Sequence, residues 1–207
     1  MWMKIKLSEG GKRFNREWIF RKATLDLTPG AACAITGPNG SGKSTLLQCL
    51  SGMMRLSEGS IVHEAEGKAL DPEQAYRQIS YCAPYLDLVE EMTLLEFFEF
   101  HRQFKPWLDG FSDNDIIRAI GLEAAAGKQL RHYSSGMRQR VKLAQAIFSR
   151  TGALLLDEPC SNLDSKGIDL YHRLIGDHTQ GRLVIVCSND PVEYSFCQQV
   201  VNMQEFK

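Results

Sequence analysis

Residues 37–45 read GPNGSGKST, a match to G-x-x-x-x-G-K-[ST], and the neighbours of this run decide the fold. Upstream, AACAIT (residues 31–36) is a short apolar run of buried-strand type that follows the Pro29-Gly30 turn. Downstream, TLLQCLSGMM (residues 45–54) carries apolar residues at helical spacing and stops around Gly52. Residues 31–54 therefore read strand, glycine loop, helix. In that context Gly37, Gly40 and Gly42, with Pro38, Asn39 and Ser41 between them, let the chain wrap so that successive backbone N–H groups converge on phosphate oxygens. The helix N-terminus adds the positive end of a dipole and Lys43 adds a point charge. Ser44 offers a hydroxyl to Mg²⁺, and Thr45 closes the motif. A bound nucleotide is the expectation.

A second motif, ALLLDEP (residues 153–159), puts Asp157 and Glu158 at the end of a buried strand. Adjacent carboxylates with no cation nearby in sequence are costly to bury unless a metal or a water uses them. Asp157 suits the hydration shell of Mg²⁺. Glu158 suits the base that orients and polarises an attacking water, and Pro159 ends the strand just past the site. Between the two motifs lies YSSGMRQR (residues 133–140), where Ser134, Ser135 and Gly136 open a helix and build a second anion site from hydroxyls and backbone amides. The phosphate loop alone leaves kinases, GTPases and transport ATPases open. The guanine-reading NKxD is absent, and neither kinases nor GTPases account for Ser-Ser-Gly between the two motifs.

Elsewhere, alternation in residues 3–7, 18–20 and 24–27 predicts an antiparallel β start. Thr93 followed by Glu96 fits a capping box, so TLLEFFEFHRQF reads as a helix that ends before Pro106. DNDIIRAIGLEAAAG and SSGMRQRVKLAQAIFSR also read as helices, the second with Met137, Val141, Ala144 and Phe148 down one face. Beyond them, ALLLDEP and LVIVCSND are short apolar runs separated by the helical KGIDLYHRLIGDH, the pattern of parallel strands joined by crossover helices.

With 207 residues, 43% hydrophobic and 24% charged, the composition is that of one ordinary globular domain. A formal net charge of −1 gives no global pull toward nucleic acid, which is not expected as a partner. Six scattered cysteines form no CxxC pair and read as small buried thiols of a reducing compartment. The first residues hold no apolar stretch suited to a secretory signal, and no run approaches the ~20 apolar residues that span a bilayer. The expectation is a cytoplasmic protein whose membrane role comes through a separate chain.

A phosphate loop, a helical insert, Ser-x-Gly opening a helix and an apolar strand ending in Asp-Glu resemble, over essentially the whole chain, the nucleotide-binding subunit of ABC transporters. The resemblance implies an α/β P-loop NTPase of ABC ATPase type, with a mixed sheet core, an antiparallel N-terminal part and an inserted helical subdomain. Residues 1–207 would form one domain, with residues 1–84 and 151–207 as core and about 85–150 as insert and signature helix. SSGM stands where the family's LSGGQ signature stands, and SNLD (residues 161–164), with Ser161 and Asp164, matches its D-loop. Phe14 falls where the family places a ring that stacks on adenine, although from the residues alone it reads equally as a strand or core position. Two subunits would meet head to tail, so that Ser134, Ser135 and Gly136 of one close over the phosphate held by the other.

Three departures from the family stand out. Tyr133 and Met137 replace the leading leucine and the terminal glutamine of the signature. Pro84 stands at or near the place of a glutamine that reaches Mg²⁺. Gln78 lies upstream, where the reading places it inside the preceding strand, and Asp87 is the nearest polar group in the loop, either taking over that contact or capping a turn. Finally Asn189, at the end of RLVIVCSNDP, replaces a histidine that reaches the γ-phosphate; its amide still donates but is shorter and never cationic.

The resemblance thus implies an ATPase using ATP and Mg²⁺, as a homodimer or paired with a second ATPase subunit. It would drive a separate transmembrane permease from the inner face of the cell membrane, in the manner of small export-type cassettes. Asn189 and Pro84 keep a second reading open, a slowly hydrolysing or non-hydrolysing ATP-dependent switch.

Overall fold

The computed structural model describes residues 2–207. Alternating apolar residues give two long strands, β1 (Met3–Phe14) and β2 (Glu17–Leu27), which pair antiparallel across a tight turn. β3 (Cys33–Thr36) leads through the glycine loop into α1 (Lys43–Leu50). β4 (Glu58–Ala65) and β5 (Lys68–Ala69) complete a four-stranded antiparallel sheet in the order β2-β1-β4-β5. α2 (Pro72–Gln78) and β6 (Ile79–Cys82) precede the helical insert, made of α3 (Leu94–Arg102), α4 (Asp113–Ala119) and α5 (Ser135–Ile147). β7 (Ala153–Asp157), α6 (Ser165–His178), β8 (Leu183–Cys187) and β9 (Gln199–Asn202) follow. A five-stranded parallel sheet runs in the order β6-β7-β8-β3-β9.

The parallel sheet is covered on both faces, which is why β7 and β8 read as unbroken apolar runs. Leu154, Leu156, Val184 and Val186 face a core shared with the insert, α5 and α6. Ala153, Leu155, Leu183 and Ile185 face a second core shared with α1 and the antiparallel sheet. The expected mixture of parallel and antiparallel strands is therefore divided between two sheets that share a core.

The Thr93–Glu96 capping box forms, with the Thr93 N–H donating to Glu96 at 2.8 Å and the Glu96 N–H to Thr93 at 3.3 Å. Two expectations are corrected. Gln78 ends a helix rather than sitting in a strand, because Asp71 and Gln74 form another capping box with Pro72 in the first turn. The helix begun by DNDIIRAI stops at Ala119, since Gly121 takes a φ of 67° that a helix does not continue through.

The end of the sheet remote from the glycine loop is clamped by one buried cation. Arg182 donates to the Ile147 carbonyl (2.6 Å), the Ser80 hydroxyl (3.0 Å) and the Thr151 hydroxyl (2.7 Å), and burial lowers its pKa to about 10. Arg182→Met leaves a carbonyl and two hydroxyls without this donor. The expected loss is about 1–3 kcal/mol, or roughly 2–12 °C in Tm at this chain length. Thermal melting checks it, and ATP affinity measured below the transition should not change.

Candidate functional site

The glycine loop ends at Gly42, whose φ of 102° starts α1 without any side-chain cap. The first N–H groups of α1 consequently lack acceptors within the helix and open into a cavity of about 270 Å³. A side chain at position 42 is excluded twice over, because a Cβ there would lie 2.4 Å from Ile19 Cγ2 in a left-handed backbone. Ile19, Asn39, Ser44 and Glu158 are among the cavity walls, together with Lys43, whose Nζ donates to the carbonyls of Gly37 (2.8 Å) and Pro38 (3.4 Å). A wider recess between β2 and Phe206 contains none of the motif residues.

Asp157, at the tip of β7, is 1% exposed, and neither of its carboxylate oxygens has a hydrogen-bond partner. Burial raises its pKa and the neighbouring Glu158 charge adds to this, while the Ser44 and Tyr85 hydroxyls and the Lys43 amine act to lower it. An orphaned carboxylate beside a serine hydroxyl is the hard oxygen donor set that Mg²⁺ takes, so Ser44 and Asp157 fit the ion that the sequence implies. Glu158 differs from Asp157 in being exposed at the cavity. Its φ of 43° is a strained conformation for a non-glycine residue, and its N–H is tied to the Cys187 carbonyl at 2.9 Å.

Asn189 stands two residues past the end of β8 and reaches the glycine loop, where its Nδ2 donates to Asn39 Oδ1 at 2.7 Å. It meets the rim of the site and is not one of the cavity walls. Ser134 caps α5 by accepting the Met137 N–H at 3.2 Å, Ser135 is exposed, and a Cβ on Gly136 would lie 3.1 Å from the Asn162 carbonyl oxygen. The signature thus abuts the segment that holds Ser161 and Asp164. Asp164 caps α6, accepting the Gly167 N–H at 2.8 Å. Ser134, Ser135, Gly136, Ser161 and Asp164 do not line the cavity over the glycine loop of their own chain. Tyr133 is a buried core residue whose hydroxyl donates to the Ala125 carbonyl at 2.7 Å.

Phe14 is exposed next to the β1–β2 turn, with the Lys12 amine 5.2 Å from its ring centre, and it does not wall the cavity. Ile19, from the same hairpin, does. Asp87 does not line the cavity over the glycine loop. It lines a groove beside α3 with Phe100 and Lys105, and the group beside Asp157 is Tyr85. Proline brings the chain out of β6, and it is the next residue that turns back over the sheet.

Several polar residues at the site carry no motif. Gln139, buried in α5, donates to the Pro159 carbonyl at 2.6 Å, and Lys142 donates to the Pro84 carbonyl at 2.7 Å. These bonds tie the signature helix to both chain segments that flank Asp157. Gln48 donates to the Tyr85 hydroxyl at 2.8 Å; its spacing of four from Ser44, which puts both on one face of α1, is the signal that could have found it.

Residues 20–161 match the sequence model of the ABC transporter family. An ABC transporter ATP-binding protein of Bacillus subtilis, YybJ, is 31% identical over 93% of this chain and 88% of its own length. The cytochrome c biogenesis ATP-binding export protein CcmA 2 of Cupriavidus metallidurans is 29% identical, covering 89% of each chain. Among solved structures, a dimeric ATP-binding cassette in a post-hydrolysis state with ADP and Pi superposes with a TM-score of 0.82 at 24% identity, over 96% of this chain and 93% of that one. Together with the glycine loop, the orphaned Asp157 and the signature opening α5, these matches place the chain in the ABC transporter family, among its ATP-binding proteins.

Proposed function

We propose that the chain is the ATP-hydrolysing subunit of an ABC transporter, a homodimer or one of a pair of ATPase subunits, acting on a separate transmembrane permease from the cytoplasmic face of the membrane. The observation that carries this reading is the junction at the tip of β7. There the exposed Glu158 and the uncapped start of α1 share one cavity, and the buried Asp157 carboxylate lies directly behind its wall, next to Glu158 in the chain and acted on by the Ser44 hydroxyl.

The free amides at the start of α1 and the Lys43 amine would bind and orient the β- and γ-phosphates of ATP. Mg²⁺, held by Ser44 and Asp157, supplies charge neutralisation for the phosphate oxygens. Glu158 is placed to accept a proton from a water and aim it, and its exposure admits that water. Asn189 can give one neutral amide hydrogen to the γ-phosphate, exchanging its bond to Asn39. The Ser135 hydroxyl and the Gly136 backbone lie outside their own chain's cavity, so a second copy has to supply them in an isologous pair. Ser161 and Asp164 belong to the segment packed on Gly136, which puts the D-loop on the same face.

Part of the insert serves its own core, with Phe97 and Phe98 buried, but Phe100 and Phe104 remain exposed along the groove that also contains Tyr76 and Asp87. That groove is the proposed seat of the permease. No helix among the described residues is long and apolar enough to cross a membrane. Likeness to CcmA proteins favours the export-type reading.

The switch reading is supported by Asn189 and Pro84 and opposed by Glu158 on the cavity wall. Steady-state ATPase assays of Glu158→Gln separate the two: a hydrolase loses roughly 10²–10⁴-fold in rate and accumulates an ATP-bound dimer in light scattering, whereas a switch barely changes. The lost charge-assisted donor at position 189 is worth about 1.5–3 kcal/mol, ~10- to 100-fold if all of it acts in the transition state. Asn189→His should therefore raise turnover several-fold and Asn189→Ala lower it; equal rates in all three proteins would remove Asn189 from the chemistry.

Asp157 gives a stability signature of the same reading. Because its pKa is raised on folding, it favours the fold at low pH and loses that contribution as pH rises through the raised value. At pH 7 the nucleotide-free Asp157→Asn protein should melt higher than wild type. The same variant should lose the Mg²⁺ dependence of ATP binding. A lower melting temperature would contradict a net cost of burying the charge.

A further inference from the structure

Pro84 offers no side-chain oxygen, yet the chain supplies one to the same neighbourhood from the next residue. β6 runs parallel to β7 with Cys82 opposite Leu156, so the chain leaves β6 alongside the Asp157 end of its neighbour. Tyr85 then turns back over the sheet. Its hydroxyl accepts from Gln48 Nε2 at 2.8 Å and lies 2.7 Å from the Tyr81 hydroxyl. Gln48 stands one turn beyond Ser44 on α1, so the phenol oxygen is held against the Ser44 face of that helix. The Tyr85 and Asp157 side chains each influence the other's ionisation.

Donor counting limits where the Tyr85 proton can go. A phenol has one proton to give and two lone pairs. The Gln48 NH₂ group can only donate, and it takes one lone pair. If Tyr81 donates as well, the second lone pair is used and the Tyr85 proton is left for another acceptor. Tyr85 is partly exposed, so water is one; the other is the buried Asp157 carboxylate, which acts on Tyr85 and has no well-formed hydrogen bond of its own. The reverse order would spend the Tyr85 proton on a neutral oxygen and leave the anion bare, the more costly arrangement.

We infer that Tyr85 is a positioning residue of the Mg²⁺ site: its hydroxyl, oriented by Gln48 and Tyr81, donates to one oxygen of Asp157 and leaves the other directed to the ion and Ser44. This rests on reading the cavity as a Mg²⁺–ATP site. Tyr85 supplies from beside the carboxylate an ordering function that a proline at position 84 cannot supply. Ion-orienting partners of this kind, one bond removed from the metal, set metal affinity as strongly as many direct ligands do.

Tyr85→Phe keeps the ring and removes only the hydroxyl. In the full chain with a saturating non-hydrolysable ATP analogue, Mn²⁺ serves as the probe, its free concentration read by electron paramagnetic resonance. ATP affinity is measured separately in EDTA by displacement of a fluorescent analogue. The expected result is Mn²⁺ affinity about 10-fold weaker with ATP affinity in EDTA unchanged. Unchanged Mn²⁺ affinity, or an equal loss in both measurements, would overturn the proposal. Tyr81→Phe should weaken Mn²⁺ in the same direction but less, because Tyr85 keeps its own proton; a larger effect than that of Tyr85→Phe would reverse the donor order and also overturn it. Failure of the wild-type chain to bind ATP in EDTA would instead strike the ATP reading itself, a result distinct from either variant's.

Discussion

A carboxylate buried without a partner is the constraint on which the site depends. Asp157 sits at the tip of β7, a strand covered on both faces, and neither of its oxygens has a well-formed hydrogen bond, although the Ser44 and Tyr85 hydroxyls are close enough to lower its pKa. Such a group is unfavourable to folding unless something cationic uses it. Around it the fold arranges Ser44 and Lys43 from α1, Glu158 from the same strand end and Tyr85 from the loop after β6. Functional sites are where locally unfavourable choices collect, and here the strained Glu158 backbone lies next to the buried charge.

The same junction is mechanically tied to both surfaces that would meet other chains. Tyr81 lines the groove beside α3 with its ring and touches Tyr85 with its hydroxyl. Lys142 and Gln139 bind α5 to the carbonyls of Pro84 and Pro159, while Gly136 rests against Asn162. Groove, signature and carboxylates are therefore within a short run of direct contacts. Movement of the Pro84 loop would be felt at α5 and at Asp157 together.

Much of this could be read from the sequence, for physical reasons that differ by element. The glycine loop, α1 and β7 were legible because their chemistry is set by local geometry: glycines at left-handed positions, amides at a helix start, a carboxylate at a strand end. The Thr93–Glu96 capping box was legible for the same reason. Gln78 was misplaced because α2 is too short to show periodicity, although Asp71, Pro72 and Gln74 announced its start. Which of the two readings of Asp87 holds, a contact to the ion or a turn cap, stays open in the sequence because a loop's path is not written in its composition; the structure puts the residue in the groove beside α3. The Tyr81–Tyr85–Gln48 cluster joins β6, a loop and α1, and only the tertiary fold brings them together. Phe14 and Ile19 belong to one hairpin, and which of them meets the glycine loop depends on the β1–β2 register and its bulges.

If the catalytic unit is a pair in which each chain supplies half of each site, the most direct measurement is complementation between two inactive variants, Lys43→Ala and Gly136→Asp. Each alone leaves every composite site defective. A mixed dimer contains one site with an intact glycine loop from one chain and an intact signature from the other. An equimolar mixture should recover ATPase activity, up to about a quarter of the wild-type rate for random pairing in an isologous dimer. Activity that stays at the level of the separate variants would contradict a site shared between two chains.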